Sequence, residues 1–125
     1  MLPLLVAVGF GAVAVLLGSP VTMWLFRRVD RSEGTGAAHT VTGAAAVLRG
    51  GMWIGYLERG ATFASILLGW PEGIALAIAI KGLGRYEELR SSTTGAAERF
   101  IIGTFASLLF ACLWAVAARE VIALV

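Results

Sequence analysis

The stretch GWPEG, residues 69–73, lies between two apolar runs, and its reading decides how the chain folds. Pro71 cannot extend a helix through Trp70, because proline lacks the backbone N–H and its ring clashes with the preceding turn. The same residue suits the first position of a new helix, where that N–H has no intrahelical partner anyway. Glu72 beside it suits the positive end of the new helix's dipole. The reading is a tight hairpin at 69–73, with one helix arriving over Gly51–Trp70 and the next leaving over Pro71 to about Arg90.

Two further apolar runs stand on either side. Leu2–Phe26 carries no charge, and Phe100–Ala118 is apolar between Arg99 and Arg119. At 1.5 Å per residue, a run of about 20 residues covers roughly 30 Å, the thickness of the hydrocarbon layer. The 125 residues are 58% hydrophobic, and the mean hydropathy is +0.85, well above the roughly 45–50% apolar content of soluble domains. The expected fold class is therefore all-α, a polytopic membrane helix bundle. It is one membrane domain of four transmembrane helices with a cytoplasmic loop at 27–48, whose Ala-rich end reads as a helical lead-in. Pro20 should bend the last turns of the first helix.

Charge sets the orientation. No basic residue precedes the first run, and Arg27, Arg28 and Arg31 follow it. That is the pattern of an anchor with its amino terminus outside, not of a cleavable signal. In this topology Arg27, Arg28, Arg31, Arg49, Arg85, Arg90 and Arg99 are cytoplasmic, Arg119 is outside, and Arg59 and Lys81 lie at depth. This matches the positive-inside bias, and Trp24, Trp53 and Trp70 fall near interfaces as aromatic belts do. The expected location is the bacterial plasma (inner) membrane, multi-pass, with both termini outside.

The hairpin brings charges together. Counted from the turn at 1.5 Å per residue, Glu58 lies about 19 Å down one helix and Lys81 about 16 Å down the other. Arg85 is one turn further in. Glu58 is thus within reach of Lys81 or Arg85, and Glu58, Arg59, Lys81 and Arg85 form the candidate buried charge cluster. A lone charge at such depth costs about 2.5–3.5 kcal/mol on insertion scales, which pairing and snorkelling would offset. Small and polar residues recur at helical spacing around it. They are Gly51, Gly55, Glu58, Thr62, Ser65 and Gly69 on the second helix, Gly73, Ala77, Lys81, Gly84 and Glu88 on the third, and Gly103, Ser107, Ala111 and Ala115 on the fourth. GMWIG, residues 51–55, is itself a GxxxG, the pattern that lets helix backbones approach closely in lipid. One reading makes these stripes packing faces and the charges a buried clasp. Another makes Glu58 and Lys81 a proton or ion site, since ionisable residues in membranes mark pathways. A third places the charges nearer the headgroups, with KGLGRYEELR (81–90) a cytoplasmic extension that leaves the third span short.

The segments IGYLERG (54–60), LLGWPEGIALAIAIKGLGRYEEL (67–89) and AERFIIGTFASLLFA (97–111) resemble the carboxy-terminal part of a family of uncharacterised bacterial inner-membrane proteins, known as a domain of unknown function. The resemblance covers about half the chain, Ile54 to about Ala115, and by position it marks Glu58, Arg59, Lys81, Arg85, Tyr86, Glu98, Gly103 and Thr104. The family's longer amino-terminal half, with a His and an Asp in membrane segments, has no counterpart in Leu2–Phe26. The resemblance implies a membrane location and no activity.

Other chemistry is sparse. Cys112 is the only cysteine and His39 the only histidine, so one chain can form neither a disulfide nor a His/Cys metal cluster. Glu87 and Glu88 are adjacent and point to different sides of a helix, and no base is placed to activate Ser91, Ser92, Thr93 or Thr94. GLG at 82–84 lacks the preceding strand and the following Lys-Ser/Thr of a phosphate loop. Basic residues are not interleaved with aromatics as on a nucleic-acid surface. Arg27, Arg28, Arg90 and Arg99 are candidates for anionic lipid headgroups. The expectation is a small non-enzymatic membrane protein without metal or cofactor. It would serve packing or assembly, as a homo-oligomer or an accessory subunit of a larger membrane complex. The alternative is a small oligomeric transporter or channel component with Glu58 and Lys81 on the pathway. A lipid-headgroup enzyme has least support.

Overall fold

The computed structural model describes residues 1–32, 41–86, 90 and 96–125, and within these the side-chain surroundings of 1–28, 52–86, 90 and 98–125. Four helices account for nearly all of this, in the order α1 (Leu2–Ser32), α2 (Val41–Leu67), α3 (Glu72–Gly84) and α4 (Ala96–Leu124), and no strand occurs among the described residues. The main contacts are α1 with α4, α2 with α4, α1 with α2, and α2 with α3.

Two of these helices are both long and apolar enough to cross a membrane: Leu2–Arg28, with mean hydropathy 2.3, and Glu98–Leu124, with 2.2. Their most apolar windows are only 11% and 28% buried within the chain. What the bundle does bury is mostly small or polar. Ala14, Ala111, Ala115, Ala118, Phe63 and Leu108 are the buried apolar residues, beside Glu58, Arg59, Thr62, Ser65, Thr104 and Ser107. Leu5, Leu16, Leu57, Leu83, Phe105, Leu109 and Leu113 face outward. A water-soluble domain sorts its side chains the other way.

The turn between α2 and α3 follows from Gly69 and Pro71. Gly69 has φ +69°, a left-handed conformation that glycine adopts without steric cost. The Trp70 N–H donates to the Ser65 carbonyl at 2.7 Å and the Gly69 N–H to the Ile66 carbonyl at 3.2 Å. These two bonds are a Schellman cap, which satisfies carbonyls that the end of α2 would leave open. Pro71 then stands at the N-cap of α3 with φ −64°, one residue before the helical position expected of it.

Several expected boundaries move. α1 continues to Ser32, so residues 27–32 of the expected cytoplasmic loop are helical, and α2 starts at Val41, so the Ala-rich 41–48 is the helical lead-in expected there. The rest of that loop, including His39, lies outside the described residues. α2 stops at Leu67, and α4 runs past both ends of 100–118. The largest change is in α3, which ends at Gly84 and not near Arg90. Gly82 and Gly84 each weaken a helix by about 1 kcal/mol relative to alanine, and both fall in its last turn. Arg85 forms a turn there, its N–H donating to the Gly82 carbonyl at 3.3 Å. At 13 residues, α3 is about 20 Å long, short of the roughly 30 Å hydrocarbon layer.

Candidate functional site

Successive residues on a helix point about 100° apart, as its 3.6-residue turn requires. The adjacent charges at 58 and 59 therefore leave α2 in different directions. Glu58 turns to α3, where Lys81 Nζ lies 2.5 Å from its Oε2, the side chains being 16% and 2% exposed respectively. Lys81 also sits 5.5 Å from the ring centroid of Phe100 on α4. Of the two bases in reach by counting, Lys81 takes the carboxylate. Arg85 is half-buried at the end of α3, bonded through its backbone as above.

Arg59 turns to α1 and α4, apart from the clasp with which it was grouped. Its Nε donates to the Val15 carbonyl at 3.0 Å, one terminal nitrogen to Ser19 Oγ at 2.7 Å and the other to Ser107 Oγ at 3.2 Å. The guanidinium also lies 5.4 Å from the Tyr56 ring centroid. Three neutral oxygens from two helices thus hold a buried cation. Arginine suits the task, because its planar fork has donors for several partners at once. Gly18 makes the room: a Cβ there would run into the Arg59 Cδ, so glycine is the residue that admits the side chain. Sequence reasoning missed this seat. Its signal is the pair Gly18–Ser19 inside the first apolar run, ahead of Pro20, the one residue there with a sequence-based reading, as a bend.

The small-residue stripes are distributed as follows. Thr62 and Ser65 are buried, and their hydroxyls donate to the carbonyls of Glu58 at 2.8 Å and Ala61 at 2.7 Å, one turn back on their own helix. Gly55 is half-buried beside the Arg59 guanidinium. Gly51 lies in α2, its surroundings outside the described ones. Gly73 is the buried residue of α3, against Ser65 and Trp70, and Ala77 is half-buried. Gly84 is exposed, and Glu88 is not among the described residues. On α4, Ser107, Ala111 and Ala115 are buried, and Gly103 approaches Phe26 of α1, where a Cβ would come within 2.9 Å of the Phe26 ring. Replacing Gly73 by Ala should push α3 off α2 at the turn, because the new methyl collides with the Ser65 hydroxyl. A loss of about 1–3 kcal/mol is expected, the cost of overpacking, read as an unfolding shift in mixed micelles.

Two buried oxygens in this region have no hydrogen-bond partner, Glu58 Oε1 and Thr104 Oγ1. Thr104 follows Phe100 by one turn on α4, on the side that Lys81 approaches. At the other end of α1, Arg27 and Arg28 are exposed, with Arg28 stacked 4.8 Å from the Trp24 ring centroid. Arg90 and Arg99 are exposed as well. Among the described residues no three of His, Cys, Asp and Glu come together as a metal site would require. Glu87 and residues 91–94 lie outside the described residues. No protein-family model matches the chain, and comparisons with curated proteins and with solved structures give no significant match.

Proposed function

We propose that the chain is a small integral protein of the bacterial inner membrane, and that it works as a non-enzymatic packing and assembly unit. It would act as a homo-oligomer or as an accessory subunit of a larger membrane complex. Its four helices all span the membrane, α2 and α3 as a tight hairpin that turns at the outer face, with both termini outside. The likeness of 54–115 to the inner-membrane family of unknown function belongs to the same proposal.

One observation carries the reading, namely where the ionisable side chains of the interior are used. Glu58 and Lys81 join α2 to α3, and Arg59 joins α2 to α1 and α4. Each spends its charge on holding helices together. The outward surface is left to Leu, Ile, Phe and Val, and α3 in particular turns Leu76, Ile78, Ile80 and Leu83 away from the bundle. Such a flank suits lipid and a neighbouring helix equally, and close helix approach in lipid depends on small residues like those on α2 and α4. Purification from native membranes should yield an oligomer or a complex with a defined partner. A detergent-stable monomer with nothing attached would sink the assembly role.

The pathway reading keeps one support of its own, the unpartnered Glu58 Oε1 and Thr104 Oγ1 in the interior. Proteoliposomes separate the two. Proton or ion flux that disappears in Glu58→Gln while the protein stays folded would replace assembly by transport.

A further inference from the structure

A cleft of about 430 Å³ opens between the carboxy-terminal end of α2 and that of α4, lined by Leu67, Arg119, Glu120, Ile122 and Ala123. Arg119, Ile122 and Ala123 recur at helical spacing and share a face of α4, with Glu120 beside them, and Leu67 is the opposite wall. Leu67 and Ile122 are half-buried, whereas Arg119 and Glu120 are exposed at the rim. Neither charged side chain makes an ion pair or a hydrogen bond among the described residues. Arg119 and Glu120 both line the cleft, an exposed cation and an exposed anion at its rim over an apolar wall.

We infer that this cleft binds the headgroup of a zwitterionic phospholipid bearing a primary amine, a phosphatidylethanolamine-type lipid of the outer leaflet. The inference rests on the membrane reading above. In that reading Trp70, exposed in the turn that follows α2, marks the outer interface. Arg119 donates two N–H bonds to the phosphodiester, the pairing its fork geometry favours. Glu120 accepts from the ammonium, which lies two carbons from the phosphate. Leu67, Ile122 and Ala123 cover the glycerol end of the acyl chains. Phosphatidylglycerol offers no cation to Glu120. Phosphatidylcholine has a cation with no N–H to donate. The charge pair therefore selects the primary amine over both.

The test is native mass spectrometry of the full chain in micelles doped with phosphatidylethanolamine, phosphatidylglycerol or phosphatidylcholine of identical acyl chains. A parallel arm uses water-soluble glycerophosphoethanolamine. The wild type should retain phosphatidylethanolamine about fivefold more than either other lipid, the scale of one charge near a membrane surface. Glu120→Gln should abolish the preference over phosphatidylglycerol, and Arg119→Gln should lower retention of all three. Both positions are exposed, so the fold is not at stake, and circular dichroism of each variant checks this. Leu67→Trp fills the cleft and should release the lipid. Equal retention of the lipids by the wild type, or retention unchanged in both charge variants, overturns the site. Binding of glycerophosphoethanolamine as tight as that of the lipid overturns the lipid as its source. Alkaline extraction of membranes separates the two levels. Release of the protein removes the membrane reading itself, whereas firm retention without lipid preference removes this inference alone.

Discussion

Lys81→Met is expected to destabilise the protein by about 3–5 kcal/mol, the usual cost of breaking a buried ion pair from one side. The carboxylate of Glu58 is 2% exposed, and its Oε1 already has no partner. Without the lysine, neither oxygen would have one, and a buried carboxylate would be left uncompensated. Glu58→Gln should cost less, because an amide is cheaper to bury than a charge, but it still strands the ammonium between α2 and α3. The double change Glu58→Gln, Lys81→Met should recover most of the loss, since apolar replacements of buried pairs are often neutral or better. A cycle of four proteins, unfolded reversibly by increasing the SDS fraction in mixed micelles, reads the coupling directly. If single and double variants fall on one additive line, the pair does not hold α3 to α2 and the clasp must be abandoned. The same four proteins in liposomes address transport. Recovery of stability without recovery of flux would point to a pathway, whereas a clasp predicts no flux in any of them.

The pairing at this clasp could be reached from sequence because it depends on few steps. A Gly-Trp-Pro run ends one helix and starts another, and the rise per residue then sets Glu58 and Lys81 at similar distances from the turn. The all-helical class was equally open to reading, from apolar runs of about 20 residues, long enough for a helix to span the hydrocarbon layer. Where the counting fails is informative. α3 stops at Gly84 because two glycines in three residues weaken its last turn, and Arg85 forms a turn before Tyr86 and Arg90, which are helical again. A window average over 71–90 hides that local balance. α1 and α2 extend into the expected loop for the opposite reason. Val29–Ser32 has little in it to stop a helix, although its charges mark it as connection, whereas the Ala-rich 41–48 is the helical lead-in that its composition suggests.

The fate of Arg59 was not legible, and the reason is geometric. Its neighbour Glu58 made a single cluster attractive, yet a step of one residue turns the side chain about 100° away from α3. Which elements stand on that side depends on how α1 and α4 close around α2. No local pattern in 51–70 encodes it. Gly18 and Ser19 hold the information, 40 residues away, and they matter only once α1 is antiparallel to α2 and packed on it. The seat also explains how a cation with no carboxylate partner in contact is accommodated. A lone charge at the centre of a helix costs about 2.5–3.5 kcal/mol on insertion scales. Hydrogen bonds from a charged group return about 1.5–3 kcal/mol each, so the three bonds to Val15, Ser19 and Ser107 are enough to offset it.

That seat yields a change of sign between two identical substitutions in one helix. Gly9→Ala should be neutral or stabilising by up to about 1 kcal/mol, the ordinary propensity gain in a helix interior. A Cβ at Gly9 meets nothing within 4 Å. Gly18→Ala adds the same methyl and gains the same propensity, yet it should cost about 3–5 kcal/mol, from overpacking together with loss of charge-assisted bonds. The new Cβ lands on Arg59 Cδ and stands 2.5 Å from Nε and 3.0 Å from Cζ. These are not the free tip of a flexible chain. They are the stem and plane of a guanidinium pinned to α1 and α4, so relief requires breaking those bonds or separating the helices. Arg59→Ala should then change the outcome at position 18. With the side chain gone, Gly18→Ala in that background should become neutral or mildly stabilising, like Gly9→Ala. The large non-additivity, measured as a double-mutant cycle in mixed micelles, is the quantity of interest. Equal effects of Gly9→Ala and Gly18→Ala, or a Gly18→Ala cost that persists without Arg59, would mean that the arginine does not occupy this seat.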